Sequence, residues 1–423
     1  MSERAKVSRR GFLQGTAAVL GIPYVIPSGV LAAPGRPGAN DRINIAIIGT
    51  GGMGTGHVHR EAVALCDVDE NHLANAAKRV QGTPFLCKDY RRILDRKDVD
   101  AVIIATPDHW HGIQTVHACQ AGKDVYVEKP ACRTIEEGRA MINAARYYKR
   151  VVQVGAQGRS TPDARAACQF VRNGQIGRVR RVEFWHEPNF TGGWEPDRDP
   201  PKELDWDLWL GPARWVPYNP LRCHFNFRWF MDFGGGFIRD RGAHAFSVAL
   251  WCLDLDTMRG KVTVEATGQP QPEGLFDVPV TMDVTFRFTN PELTFTWSQP
   301  GRRRNNAPWG AEYYGDKDTL IVIGGDGGCW TEDKAKQYEP PAGGVHIPPS
   351  PGHRENWLEC IRTRQKPIMD IEAGVRAATL GTLGNISYML GRKVTFNFDT
   401  ERFEGDEEAN RLISQPYRAP WRL

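Results

Sequence analysis

The apolar residues in the first third of the chain fall in short, nearly unbroken runs. Ile43–Ile48, Ala62–Cys66, Ala101–Ile104, Val125–Val127 and Val151–Val154 have few or no polar positions, as strands do when both faces of a parallel sheet are covered. Between them the spacing predicts helices over Glu70–Val80, Tyr90–Arg96, Gly112–Ala121 and Thr134–Tyr148, with a short strand at Thr83–Leu86. Strands separated by helical segments predict a doubly wound parallel sheet over residues 41–158. From Val179 the period changes. Val179–His186, Lys261–Gly268, Val278–Phe288, Leu293–Ser298 and Thr319–Ile323 read as strands, several alternating or rich in β-branched residues. Their closeness along the chain predicts a second α/β domain over 159–400 with an open, mainly antiparallel sheet. A helix is expected over 372–391, returning towards the first domain, and 401–423 reads as a polar tail on the surface.

The first apolar run opens onto Gly49-Thr-Gly51-Gly52-Met53-Gly54, a G-x-G-x-x-G turn. The first glycine permits the turn, the second lets the backbone approach a pyrophosphate, and the third lets helix and strand pack closely. The second run ends at Asp67, placed to accept ribose hydroxyls and to repel a 2′-phosphate, which favours NAD over NADP. Asp67 follows Gly54 by only 13 residues, so the first helix has barely two turns. In such a sheet ligands bind beyond the C-terminal strand ends, where 49–54, 67, 106–111 and 128–130 all fall.

Composition is that of a globular protein, 41% hydrophobic and 25% charged. The net charge of +4 is concentrated at the start: Arg4, Lys6, Arg9 and Arg10 against Glu3 give residues 1–33 a net +3. The remainder is close to neutral, which points away from nucleic acid as a partner. Arg9-Arg10 before Phe12-Leu13 and an apolar stretch broken by Pro23 and Pro27 reads as a twin-arginine export peptide over 1–33, implying the twin-arginine machinery as a partner and a periplasmic destination. The nine cysteines form no C-x-x-C pair, consistent with folding in a reducing compartment before export.

INIAIIGTGGMG, ATPDHWHG and VYVEKPACRT together resemble the glucose–fructose oxidoreductase / inositol dehydrogenase / MocA family. The likeness runs from about Asp41 to the end. LDWDLWLGP and RENWLECIRTRQKP are similar to its exported members. The resemblance implies a Rossmann domain followed by an α/β domain with an open sheet, and oxidation or reduction of a sugar or cyclitol hydroxyl. It places Lys129 of Glu128-Lys129-Pro130 near the nicotinamide and the reacting hydroxyl, and gives Asp240 and His244 substrate contact and proton transfer. Thr106, Pro107 and His111 are expected to border the cofactor. Many members have Asn where this chain has Asp108. Removing a hydroxyl proton needs a base with a pKa near the working pH, which suits histidine, while a lysine can stabilise the developing alkoxide. Taken alone, Asp240 and His244 could be an ordinary i,i+4 helical pair and Lys129 a surface lysine. His57-x-His59 and His109-x-His111 lack further ligands at suitable spacing, so no metal is expected.

Between Glu187 and Gly236 lies a long segment rich in Pro, Gly and Trp. Six of the 13 tryptophans fall within Trp185–Trp229. Their indole faces suit a carbohydrate, or equally pin a loop that has no core of its own. Arg159, Trp185, Trp206 and Arg239 are the candidate substrate contacts, and the open sheet face is a candidate homo-oligomer interface. A nicotinamide enzyme working outside the cytosol must carry its cofactor with it. The reading is therefore an oxidoreductase with internally recycled NAD. Its rivals are an NAD-dependent glycosidase working by transient oxidation and a sugar-binding protein whose nucleotide site is a relic.

Overall fold

The computed structural model describes Gly38, residues 42–325 and residues 328–423. The expected export peptide lies outside the described residues. The apolar runs form strands β1 (Ile45–Ile48), β2 (Ala64–Cys66), β3 (Phe85–Cys87), β4 (Ala101–Ile104), β5 (Asp124–Glu128) and β6 (Val152–Gly155). They pair in parallel in the order β3-β2-β1-β4-β5-β6. Every residue of β1, β2, β4, β5 and β6 is buried, which is why these runs carry no alternation. The strand order reverses between β1 and β4, opening a crevice at their C-terminal ends. The strand expected at Thr83–Leu86 sits slightly later, because its pairing with β2 runs from Phe85 to Cys87.

The second sheet comprises β7 (Val179–Trp185), β8 (Lys261–Gln269), β9 (Thr281–Thr289), β10 (Glu292–Gln299), β11 (Gly310–Gly315), β12 (Thr319–Gly325), β13 (Gly328–Thr331), β14 (Val394–Asn397) and β15 (Arg402–Phe403). The order is β13-β12-β11-β7-β10-β9-β8-β14-β15. All neighbours are antiparallel except β7 and β10, which run parallel. In β9, Met282, Val284, Phe286 and Phe288 are buried while Asp283 and Arg287 face out. Helix Gly242–Cys252, buried along its whole length, and helix Ile371–Leu390 cover the buried face.

Helix Ile371–Leu390 also joins the two sheets. A Cβ on its Gly374 would lie 2.3 Å from Val154 of β6, so the helix packs there backbone to side chain. Asp370, at its start, accepts from Arg146 Nη1 at 3.0 Å. The tail is more than a polar wrap. After β15 it returns to the first sheet, where Tyr417 donates to Glu137 (2.8 Å) and Trp421 packs edge-on against Trp110, ring centres 4.7 Å apart. Trp421 is buried there. No helix among the described residues is long and apolar enough to cross a membrane.

Candidate active site

The glycine turn leaves β1 at Gly49, whose φ of +84° is open to glycine at little cost. A Cβ on Gly49 would lie 2.7 Å from the backbone of Ala105, and one on Gly54 only 1.9 Å from Gly49 O. Gly54 thus seats helix Gly52–His57 on the strand. At Gly52, by contrast, an added Cβ meets nothing within 4 Å, since this glycine faces the crevice. Asp67 Oδ2 accepts from Thr50 N (2.6 Å) and Thr50 Oγ1 (3.1 Å), and Oδ1 accepts from Asp69 N (2.9 Å). A carboxylate has about four acceptor sites, so this fixed carboxylate still has capacity for ribose hydroxyls. An open glycine cradle beside an oriented carboxylate fits a dinucleotide.

The crevice holds a cavity of about 430 Å³ that runs from Gly49, Gly51, Gly52, Met53 and Asp67, past Thr106 and Pro107, to Glu128, Lys129 and Asp240. Lys129 Nζ donates to Asp240 Oδ1 at 2.5 Å, both side chains being at least nine-tenths buried. Burial alone would raise the Asp240 carboxyl. The Lys129 ammonium, then the Arg228 guanidinium, outweigh it and hold Asp240 well below the usual carboxylate range. Arg228 Nε lies 3.3 Å from Asp240 Oδ1 and Arg241 Nε 3.6 Å from Oδ2. Beneath Lys129, Glu128 accepts from His57 Nε2 (2.9 Å) and Gln157 Nε2 (2.9 Å). Burial opposes ionisation of Glu128, but the His57 bond and nearby cations bring its pKa below normal. The site therefore presents a cluster of cations around a pinned carboxylate, able to stabilise an alkoxide and to hold a proton at Nζ.

Asp240 and His244 do not share one helix. Asp240 ends the short helix Phe237–Asp240, and a new helix starts at Gly242. Asp240 turns to Lys129 across the chain. His244 is buried near Trp309 (ring centres 6.1 Å apart) and lines a smaller separate cavity. Burial first, then the Lys129 ammonium, push its imidazole down to about 3, so it is neutral and only weakly basic. His111 does not line the main cavity. Its ring bridges Pro130 O and Thr106 O, each at 2.8 Å, and so ties two crevice loops together.

The four candidate substrate contacts lie elsewhere. Arg159 is buried, paired with Asp256 (2.5 Å) and with Ser247 O. Arg239 donates to Arg133 O (3.0 Å) and Cys132 O (2.6 Å). Trp185 is buried in β7 and donates to Ala307 O. Trp206 stacks on Trp209 at 4.7 Å and donates to Val216 O. In each case a polar group that could have met a sugar satisfies a buried acceptor instead. The cavity wall is completed by residues the motifs did not single out: Trp110, Leu208, Trp209, His224, Phe225, Phe227, Arg228 and Arg241. Arg241, adjacent to Asp240 in sequence, was the one visible signal. Asp108, at the family's Asn position, also lines the cavity and is buried, which raises its carboxyl pKa.

Comparison with known proteins matches the two-sheet fold. Residues 43–156 match the oxidoreductase family NAD-binding Rossmann fold of the glucose–fructose oxidoreductase / inositol dehydrogenase / MocA group. Residues 189–288 and 311–423 match that family's C-terminal alpha/beta domain. A levoglucosan dehydrogenase of Pseudarthrobacter phenanthrenivorans is 31% identical over 267 residues, 59% of this chain and 65% of that protein. A glycosyl hydrolase family 109 protein of Shewanella pealeana is 28% identical over 45% of this chain and 50% of its own length. The chain thus spans less than two thirds of these relatives. The crystal structure of the WlbA dehydrogenase from Bordetella pertussis in complex with NADH and UDP-GlcNAcA shares the fold, with a TM-score of 0.60 at 19% identity over 83% of this chain and 98% of that one. From its glycine turn to its C-terminal sheet, the chain belongs to the NAD-binding oxidoreductases of the glucose–fructose oxidoreductase / inositol dehydrogenase / MocA family.

Proposed function

We propose that the protein oxidises a hydroxyl of a sugar or cyclitol and passes the hydride, by way of an NAD that stays bound, to the carbonyl of a second sugar in the same site, which regenerates the NAD. The observation that carries this is the 2.5 Å Lys129–Asp240 pair in the same cavity as the glycine turn and Asp67. NAD bound there would supply the hydride acceptor. Lys129 orients the substrate oxygen and stabilises its developing negative charge, with Asp240 fixing the ammonium and Arg228 and Arg241 adding positive potential. Lys129 Nζ is the group in the cavity placed to pass on the hydroxyl's proton, since His244 lines the separate cavity and burial leaves it only weakly basic. Levoglucosan dehydrogenase among the relatives supports a carbohydrate substrate.

Export through the twin-arginine route is part of the proposal. The Arg9-Arg10 sequence supports it, as do nine cysteines that are all free and mostly buried. Assembly into a homo-oligomer through the second sheet is proposed as well, since Asp283 and Arg287 of β9 and Glu265 of β8 leave one face polar and uncovered. The relatives described as glycosyl hydrolase family 109 proteins favour a second reading, glycoside cleavage by transient oxidation at a ring hydroxyl.

The test uses mature protein purified without added nucleotide. Denaturation should release NAD(H) close to one per chain. Free sugars and aryl glycosides are then supplied with no cofactor added. A ketosugar or aldonolactone supports the oxidoreductase, and release of the aglycone supports the glycosidase. Absence of both nucleotide and turnover would refute the proposal.

A further inference from the structure

The loop between β7 and helix Phe237–Asp240 crosses from the second sheet to the first and back. Its outward limb is anchored along the backbone. Leu204 bridges Asp69, Glu70 N donates to Glu203 O (3.0 Å) and Asp205 N donates to Val68 O (3.0 Å). Trp209 O then accepts from both His109 Nε2 (2.9 Å) and Trp110 Nε1 (3.0 Å), and Arg418 Nε donates to Gly211 O (3.0 Å). The return limb is held differently. Near the Asp67 end of the cavity its contact with the first sheet is a side-chain one: His224 Nε2 donates to Asp69 Oδ2 at 3.0 Å, its ring 4.3 Å from that of His72. This contact is partly open to solvent, with His224 40% and His72 28% exposed, and the next residue, Phe225, is exposed by 58%. Leu208, Trp209, His224 and Phe225 all line the cavity that begins at the glycine turn.

The outward limb is therefore a backbone anchor and the return limb a side-chain catch, and both meet the first sheet at Asp69. We infer that residues 203–228 form a strap over bound NAD, with the His224–Asp69 bond as the catch that slows its release. The inference rests on the proposal that NAD stays bound, and it names the part of the chain responsible. Release of a dinucleotide past Leu208, Trp209 and Phe225 requires the return limb to lift. Lifting it costs the His224 bond and the His72 contact, but leaves the outward limb in place. The catch as drawn is the His224–Asp69 hydrogen bond. Asp69, His72 and His224 have one ligand atom each within 4.8 Å of one another, so the test also asks whether a metal holds the three.

The test follows exchange of bound NAD for isotopically labelled NAD by mass spectrometry, using full-length exported protein. His224→Ala is expected to exchange at least 10-fold faster than the parent, with His224→Gln, which keeps a donor, in between. EDTA should leave the parent's rate unchanged. Hydrogen exchange of residues 222–228 in the parent should slow when NAD is loaded, a readout that does not depend on how any variant folds. Equal exchange rates for the parent and His224→Ala, or no change in protection on loading, would overturn the strap. Acceleration by EDTA would replace the hydrogen bond with a metal and overturn the catch as drawn. A parent that exchanges its NAD within seconds would instead refute retention itself.

Discussion

Lys129 and Asp240 act as one unit, because both are buried and joined by a direct bond. Lys129→Met removes the ammonium but keeps the stem. It should lower turnover by about 10²–10⁴-fold, while NAD released on denaturation stays near the parental amount. The glycines separate fold from ligand in the same way. Gly54→Ala drives a methyl into Gly49 O and should cost about 1–3 kcal/mol or more in chemical denaturation. Gly52→Ala meets open space. It should leave the denaturation midpoint nearly unchanged and weaken NAD binding, measured by isothermal titration of stripped protein. At this scale part of the cavity lining was legible from sequence because each motif is local: Gly49, Gly51, Gly52, Asp67 and Lys129 all line the cavity. The substrate contacts were not. An arginine such as Arg159 or Arg239 has the same sequence appearance whether it meets a ligand or a backbone carbonyl, and only the folded chain shows Cys132 O and Arg133 O waiting for Arg239.

Elements position these residues through their ends. Helix Ile135–Tyr147 begins just after the Lys129 loop with a capping box: Thr134 accepts from Glu137 N (3.2 Å), and Glu137 Oε2 accepts from Arg133 N (2.8 Å) and Thr134 N (3.2 Å). Thr134→Ala should cost about 0.5–2 kcal/mol, read from urea unfolding. Buried runs announced the first sheet because a strand covered on both faces has no polar positions. The second sheet was only partly legible. β11, β13, β14 and β15 are short or glycine-bounded, and their partners lie far away in sequence: β14 pairs with β8 and β11 with β7. The break at Arg241 between Asp240 and His244 was hidden as well, since three glycines and the Lys129 contact, not helical period, decide where Asp240 points.

The whole molecule responds to acid through groups spread over both sheets. Burial pushes His109 and His244 down to about 3 and His186 and His353 to about 4. The unfolded chain binds these protons near pH 6.5 and the folded chain does not, so stability is full above that value and falls as pH drops towards 4. Asp240, with its folded pKa depressed, adds a loss of the same sign at lower pH, below the ordinary Asp value of about 3.9. Unfolding at pH 5 should take up about four protons from the histidines, measured as the slope of denaturation free energy against pH. Trp421, at the far end of the chain, packs on Trp110 and Tyr90 beside the cavity. Its seat has a consequence for biosynthesis. Trp110 is held by Tyr90 and Trp209 O and also by a residue that follows the whole second sheet in sequence, so the nucleotide's wall is complete only after that sheet has been made. Cofactor loading then becomes a late checkpoint in biosynthesis, open only once both sheets exist.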